Sequence, residues 1–184
     1  MSAPRIPPLS PENFTDEQKT LVGDWGTLNF SQVVVQHPDV YKVFIPFLDK
    51  LVRGSNLPPR DREILVLRCL ALCHESYEAQ HHASIARKAG MTDGEIAAAG
   101  SGDERLSPWE RTLARAAEEL VHKQCVGDET WQALAQRYAP AQLMEVVFLV
   151  GTYTLMAMVT KSFGIAVEHG AETFSQLEQL RQYT

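Results

Sequence analysis

The uneven distribution of proline most constrains how this 184-residue chain can fold. Eight of its ten prolines lie within the first 59 residues. Proline removes a backbone donor and interrupts helix interiors and central strands, so residues 1–11, which hold four of them, predict an extended arm. The chain beyond residue 59 is free to form long helices. We therefore divide it into a proline-rich arm with short helices, residues 1–37, and a helical domain, residues 38–184.

Apolar residues after the arm recur at intervals of three and four, as in amphipathic helices, and no segment alternates convincingly like a strand. Thr15 and Thr92, each followed three residues later by glutamine or glutamate, predict helix starts. Ser107-Pro108 predicts another start, and a long helix is expected from Pro140 to about Ile165. The expected fold class is all-α, a single-domain helical bundle.

The apolar periodicity does not decide how many helices one stretch of the chain forms. The run from Arg60 to Ala89 contains neither glycine nor proline, so it permits either one helix of about 30 residues or two helices broken near residues 74–76. A final helix is expected over about residues 171–183. Pro46 predicts a kink in the helix that follows Pro38.

Charge and composition exclude several classes of protein. With 17 basic and 23 acidic residues the chain has a formal charge of -6, so it lacks the basic surface that nucleic-acid binding needs. Three cysteines do not form a disulfide framework and no signal-like segment opens the chain, so we expect a cytoplasmic protein. The longest apolar stretch, residues 146–159, is shorter than the roughly 20 residues of a membrane span. We expect a buried helix there and no membrane association.

The densest group of acid and base side chains lies at residues 74–82, directly behind the most apolar helix. Glu78 and His82 are four residues apart, so on a helix they share a face and the carboxylate can orient the imidazole. Glu63 lies among apolar neighbours in the preceding helix, where a buried carboxylate needs a partner. A histidine from the next helix is a suitable one. Such a group suits general acid and base chemistry.

Two other interpretations of this cluster stay open. His82 can be a core histidine that only satisfies the charge of Glu63. Alternatively, His74, Glu78 and His82 form a ladder at helical spacing whose ligand types suit zinc or iron. A helix break near residue 75 would destroy that ladder.

The segment 62–96 contains a series of short motifs: Arg62-Glu63-Ile64-Leu65-Val66-Leu67-Arg68, Cys73, Tyr77-Glu78, His82-x-x-x-Ala86 and Ala89-Gly90-Met91-Thr92-x-x-Glu95-Ile96. In this order they resemble the core motif of the carboxymuconolactone decarboxylase and alkylhydroperoxidase D superfamily. The resemblance extends more loosely over residues 38–168. The resemblance implies an all-helical homo-oligomer, commonly a trimer or a hexamer, with sites between helices near or at subunit interfaces.

The peroxidase branch of that superfamily carries a Cys-x-x-Cys pair four residues before its histidine. Counted back from His82, those positions hold Glu75 and Glu78. Without the two thiols there is no resolving cysteine, so thiol peroxidase activity is not expected. Cys69 and Cys73 do not replace them, because side chains four apart on one helix do not point at each other. The branch with Tyr-Glu-Trp-x-x-His is closer, although Ala79 stands where tryptophan is usual.

The resemblance implies an enzyme that uses neither a metal nor an organic cofactor and acts on a small conjugated or lactone carboxylic acid, by decarboxylation, isomerisation or ring opening. It assigns His82 as the acid or base and Glu78 and Glu63 as carboxylates that orient it or shuttle protons. Tyr77, Arg68 and Tyr153 are the expected substrate-binding residues. The alternatives are an alkylhydroperoxidase-like thiol redox protein and a non-catalytic oligomeric scaffold.

Overall fold

The computed structural model describes residues 4–168, and within that range the chain is helical and contains no strand. The all-α expectation is therefore confirmed for these residues. The helix expected over residues 171–183 lies outside them. The helices are α1 Asp16–Val22, α2 Asn29–Val34, α3 Pro38–Val52, α4 Pro59–Leu72, α5 Tyr77–Lys88, α6 Asp93–Ser101, α7 Pro108–Lys123, α8 Asp128–Ala135 and α9 Pro140–Phe163.

Side-chain caps fix the helix starts that the sequence predicts. Thr15 begins α1 with a capping box to Gln18, and Thr92 begins α6 with one to Glu95. Ser107 begins α7 in the same way, with proline as the first helical residue. Each cap satisfies backbone N–H groups that the first turn leaves without a helical acceptor.

The described chain forms two compact units, residues 4–54 with 158–168, and residues 55–157. In the first unit the arm is extended, and the N–H groups of Arg5 and Leu9 donate to the carbonyls of Phe163 and Gln32 at 2.8 and 3.1 Å. Helix α3 continues through Pro46. The kink expected there and the domain boundary expected at residue 37 stay predictions.

Helix α4 is the centre of the second unit and packs against α5, α6 and α7. Ile64, Leu65 and Val66 are fully buried, each with 0% of its surface exposed. Three successive buried residues require neighbours on every side of the helix, as its apolar sequence predicts. Burial of one such side chain contributes roughly 1.5–3 kcal/mol.

Arg60 at the start of α4 fastens two other helices to it. Its Nη2 donates to Glu95 at 2.6 Å and its Nε donates to Glu110 at 2.7 Å. Glu95 and Glu110 are the capping-box carboxylates of α6 and α7. The hydrogen bond from Arg60, with those from Thr92, lowers the pKa of Glu95 to about 2. One guanidinium thus sets where α6 and α7 begin relative to α4.

Residues 60–89, for which the sequence permits either one helix or two, form two helices: α4 ends at Leu72 and α5 begins at Tyr77. The break needs no glycine. His74 adopts the left-handed conformation, with φ of 50°, which histidine tolerates better than most residues. The buried carboxylate of Glu75 then accepts the N–H groups of Tyr77 and Glu78 at 2.9 and 2.8 Å and caps the start of α5.

Among the described residues, α9 is the one helix long and apolar enough to cross a membrane by length and composition, and 56% of its most apolar window is buried within the protein. The buried core helix of a soluble protein passes the same test. The sequence places it between residues 140 and about 165, which the structure confirms.

We expect His74→Gly to raise the free energy of unfolding by about 0.5–1 kcal/mol, because glycine adopts the left-handed conformation without strain. His122→Gly is the matched control, since His122 is exposed and helical. That change should lower stability by about 0.5 kcal/mol. Urea denaturation of both variants measures the difference, and a loss of stability in His74→Gly would contradict the argument.

Candidate active site

Three helices of the second unit each contribute one buried polar side chain to a common point. Glu63 comes from α4, His82 from α5 and Tyr153 from α9, and 0%, 2% and 1% of their surfaces are exposed. Each side chain points inward because its neighbours on the same helix face are apolar. Polar groups this deeply buried require partners.

The three side chains form one continuous hydrogen-bonded chain. The Nδ1 of His82 lies 2.6 Å from Oε2 of Glu63, and its Nε2 lies 2.5 Å from the hydroxyl of Tyr153. An ionised carboxylate only accepts, so Nδ1–H donates to Glu63 and, in the neutral tautomer, Nε2 accepts from the tyrosine O–H. The two rings meet edge to face, with centroids 4.7 Å apart. Both nitrogens of His82 are thus engaged by protein groups.

Glu63 holds a second hydrogen bond, from Nε of Arg62 at 2.8 Å. Burial alone raises the pKa of Glu63, but the charge and hydrogen bond of His82, together with those of Arg62, outweigh burial and hold that pKa below its ordinary value. The carboxylate therefore stays ionised. Its pairing with a histidine of the next helix is the arrangement that the sequence predicts. Arg62 was not singled out from the sequence, although its position next to Glu63 is the available signal.

Tyr153 is held as a neutral phenol. Burial and then the negative charges of Glu78 and Glu63 raise the pKa of its hydroxyl well above the ordinary value. A phenol in that state is a proton donor, and the acceptor it faces is His82. The arrangement carboxylate, imidazole, hydroxyl has the order of a catalytic triad, with tyrosine in the position of the hydroxyl.

Glu78 is buried in the first turn of α5, one turn before His82. Its backbone N–H donates to Glu75, and its carboxylate adds negative charge near Tyr153. The structure therefore brings together four of the six residues predicted from the sequence, namely Glu63, Glu78, His82 and Tyr153.

The other two predicted residues have different neighbours. Arg68 donates to Glu118 at 2.9 Å and to the carbonyl of Gly100 at 2.6 Å, so its guanidinium joins α4 to α6 and α7. Tyr77 is buried, and its ring meets His81 edge to face at 4.9 Å. Substrate binding by Arg68 and Tyr77 stays a prediction.

The helical ladder of His74, Glu78 and His82 does not form, because His74 lies in the break between α4 and α5. Within residues 4–168, no three or more histidine, cysteine, aspartate or glutamate side chains are grouped to hold a metal ion.

The cysteine nearest the site is buried and poorly suited to act as a nucleophile. The Sγ of Cys69 lies 3.5 Å from the carbonyl of Val150 and 3.5 Å from the hydroxyl of Thr154. A hydrogen bond with Cys73 and then burial raise the pKa of its thiol far above the ordinary value. The thiolate is the reactive form, so this environment opposes reaction.

Residues 38–120 match the sequence model of the Carboxymuconolactone decarboxylase family. Over these residues, a little under half of the chain, the protein is similar to that family. Its sequence contains no Cys-x-x-Cys motif. The matched range includes Glu63, Glu78 and His82, whereas Tyr153 lies beyond it on α9.

Two solved structures are similar in fold to nearly the whole chain. One is an alkylhydroperoxidase core, an uncharacterised peroxidase-related protein from Ralstonia eutropha JMP134, with 15% identity, a TM-score of 0.77 and coverage of 92% of this chain and 94% of that one. The other is an uncharacterised peroxidase-related protein from Silicibacter sp. TM1040, with 12% identity, a TM-score of 0.74 and coverage of 95% and 99%. No curated protein matches the sequence. At these identities the likeness is one of fold.

The lowered pKa of Glu63 predicts how stability depends on pH. Because the folded-state pKa lies below the unfolded one, near 4.5, the stabilisation is complete above pH 4.5 and is lost as pH falls through the folded value. Glu63→Gln removes the stabilisation that the ionised carboxylate provides. The difference in unfolding free energy between wild type and Glu63→Gln should therefore shrink as pH falls below 4.5.

Denaturant titrations between pH 3 and pH 7 would test this, at roughly half-unit steps. Glu104→Gln is the control, because Glu104 is exposed and should follow the wild-type curve. A wild-type to Glu63→Gln difference that stays constant down to pH 3 would show that Glu63 does not stabilise the fold through its charge.

Proposed function

We propose that the protein is an acid–base enzyme that acts, without a metal or organic cofactor, on a small conjugated or lactone carboxylic acid. The reaction is decarboxylation or a related isomerisation or ring opening. The observation that carries the proposal is the buried hydrogen-bonded chain from Glu63 through His82 to Tyr153. The match of residues 38–120 to the Carboxymuconolactone decarboxylase family supports the substrate class.

In this proposal Tyr153 is the group that exchanges a proton with the substrate, and His82 is its acid–base partner. Both nitrogens of His82 already have protein partners, so the hydroxyl of Tyr153 is the last group of the hydrogen-bonded chain that begins at Glu63. When His82 takes up a proton, the ionised carboxylate of Glu63 stabilises the imidazolium. Glu78 is the second carboxylate near Tyr153 and shuttles protons.

A decarboxylation needs no redox partner. The bond between the substrate carbon and its carboxylate breaks, carbon dioxide leaves, and the electron pair moves into the conjugated lactone carbonyl. In this step His82 begins as the imidazolium, with Nδ1–H directed at Glu63 and Nε2–H at the oxygen of Tyr153. The carbon takes the hydroxyl proton of Tyr153, the resulting phenolate takes the Nε2 proton of His82, and a proton from solvent restores the imidazolium. The net change is one carboxylate replaced by one proton. Isomerisation and ring opening use the same donor and acceptor.

A thiol redox function is the second candidate, because both solved structures of similar fold are named peroxidase-related. Two observations oppose it. Glu75 and Glu78 stand at the positions of the thiol pair, and Glu75 is engaged as the cap of α5. Cys69 has a raised pKa in a buried environment. Under this candidate Cys69→Ser would abolish the reduction of an alkyl hydroperoxide by a dithiol.

We expect Tyr153→Phe to lower kcat for release of carbon dioxide from carboxymuconolactone or a simpler unsaturated lactone acid by about 100-fold or more, the usual contribution of a positioned acid or base. Phenylalanine preserves the ring and its packing. His82→Gln should cause a similar loss because it removes the group that returns a proton to Tyr153.

The matched control is Tyr138→Phe. Tyr138 is also buried and its hydroxyl donates to Asp61 at 2.6 Å, so this change costs about 1 kcal/mol of stability and should leave kcat unaffected. The proposed reaction would be excluded if Tyr153→Phe retained full turnover. It would also be excluded if the wild type released no carbon dioxide from carboxymuconolactone or from simpler unsaturated lactone acids.

A further inference from the structure

One face of α9 is apolar and exposed. Met144, Phe148, Leu155 and Met158 have 61%, 56%, 45% and 59% of their surfaces exposed, and Gly151 between them is also exposed. Successive positions are four, three, four and three residues apart. That alternation is the heptad spacing along which one helix packs against another. We call these five residues the α9 seam.

The large apolar residues of the α9 seam lie at similar distances on the two sides of Gly151. A methionine lies seven residues away on each side, and a large apolar residue lies about one turn away on each side. An antiparallel copy of α9 that crosses at Gly151 brings Met144 against Met158 and Phe148 against Leu155. A twofold interface joins identical patches, so a seam with this symmetry fits a second copy of itself.

Gly151 is the natural crossing point of two such helices. A Cβ atom placed there meets no atom within 4 Å, so the packing of this chain does not require glycine. Glycine inside a helix is unfavourable relative to alanine but permits close approach of another backbone. The open space beside Gly151 therefore leaves room for another backbone to approach closely.

The absence of charge near the centre of the α9 seam and the area that the seam can bury are both consistent with a stable contact to a second copy. Residues 146–160 contain no charged side chain, as is typical of the buried centre of an interface. Val147, 41% exposed, flanks the seam. Burial of these six residues on two copies removes on the order of 1,000 Å² of surface, the lower bound of a specific interface.

We propose that the α9 seam is the contact between two copies of this chain, related by a twofold axis that passes beside Gly151. Dimers and hexamers built from dimers contain such an axis, whereas a trimer does not. The inference does not depend on the proposed chemistry, because its tests measure mass and cross-linking rather than turnover.

The first test is native mass spectrometry of the full chain and of Gly151→Arg. We expect an even number of copies in the wild type and half that number in Gly151→Arg, with an unchanged helical circular dichroism spectrum because the position has open space. Val43→Arg is the control: Val43 is 70% exposed on α3, among the other exposed apolar residues Val40 and Phe47. It should leave the mass unchanged.

The second test is oxidation of Gly151→Cys in a Cys125→Ser background, which removes the exposed native thiol. A twofold at this position gives a disulfide-linked dimer, and Val43→Cys should give none. A monomeric or trimeric wild type, an unchanged mass in Gly151→Arg, or loss of assembly in Val43→Arg alone would overturn the proposal. A monomer that sediments with phosphatidylcholine vesicles would assign the α9 seam to a lipid surface instead.

Discussion

A carboxylate buried in the central helix determines the arrangement around it. Glu63 is fully buried in α4 beside equally buried apolar residues, where a lone ionised group would be very unfavourable. Arg62 and His82 remove that cost by hydrogen-bonding both carboxylate oxygens. The contact therefore fixes α5 against α4 and turns Nε2 of His82 towards Tyr153. The same interaction stabilises the fold and aligns the hydrogen-bonded chain from Glu63 through His82 to Tyr153.

Other carboxylates position the helices that carry this hydrogen-bonded chain. Glu75, seven residues before His82, caps the start of α5. Because this fixes where the helix begins, it also fixes the direction in which His82 projects from it. Glu145, in α9, accepts hydrogen bonds from the side chain and backbone of Asn56 at 2.5 and 2.7 Å and from Ser55 at 2.8 Å. That cluster anchors the start of α9 to the loop before α4 and thereby sets the position of Tyr153. Acidic residues thus act here mainly as fixed acceptors.

Helix α9 serves two purposes on opposite faces. Its buried face places the hydroxyl of Tyr153 on His82, and Val150 and Thr154 contact the thiol of Cys69. Its other face exposes apolar side chains at heptad spacing. This explains why the sequence of α9 is apolar almost throughout, a pattern that by itself is typical of a buried helix.

The sequence by itself determined the helices and most of their ends, because caps such as Thr15 and Thr92 and the apolar period of α4 are local. It also indicated Glu63, Glu78 and His82 through a motif within 20 residues of chain. The helix break at His74 was left open, since no glycine or proline marks it. Only the tertiary structure placed the Tyr153 hydroxyl on His82, 71 residues away, and directed Arg68 to Glu118, because those partners are chosen by how helices pack.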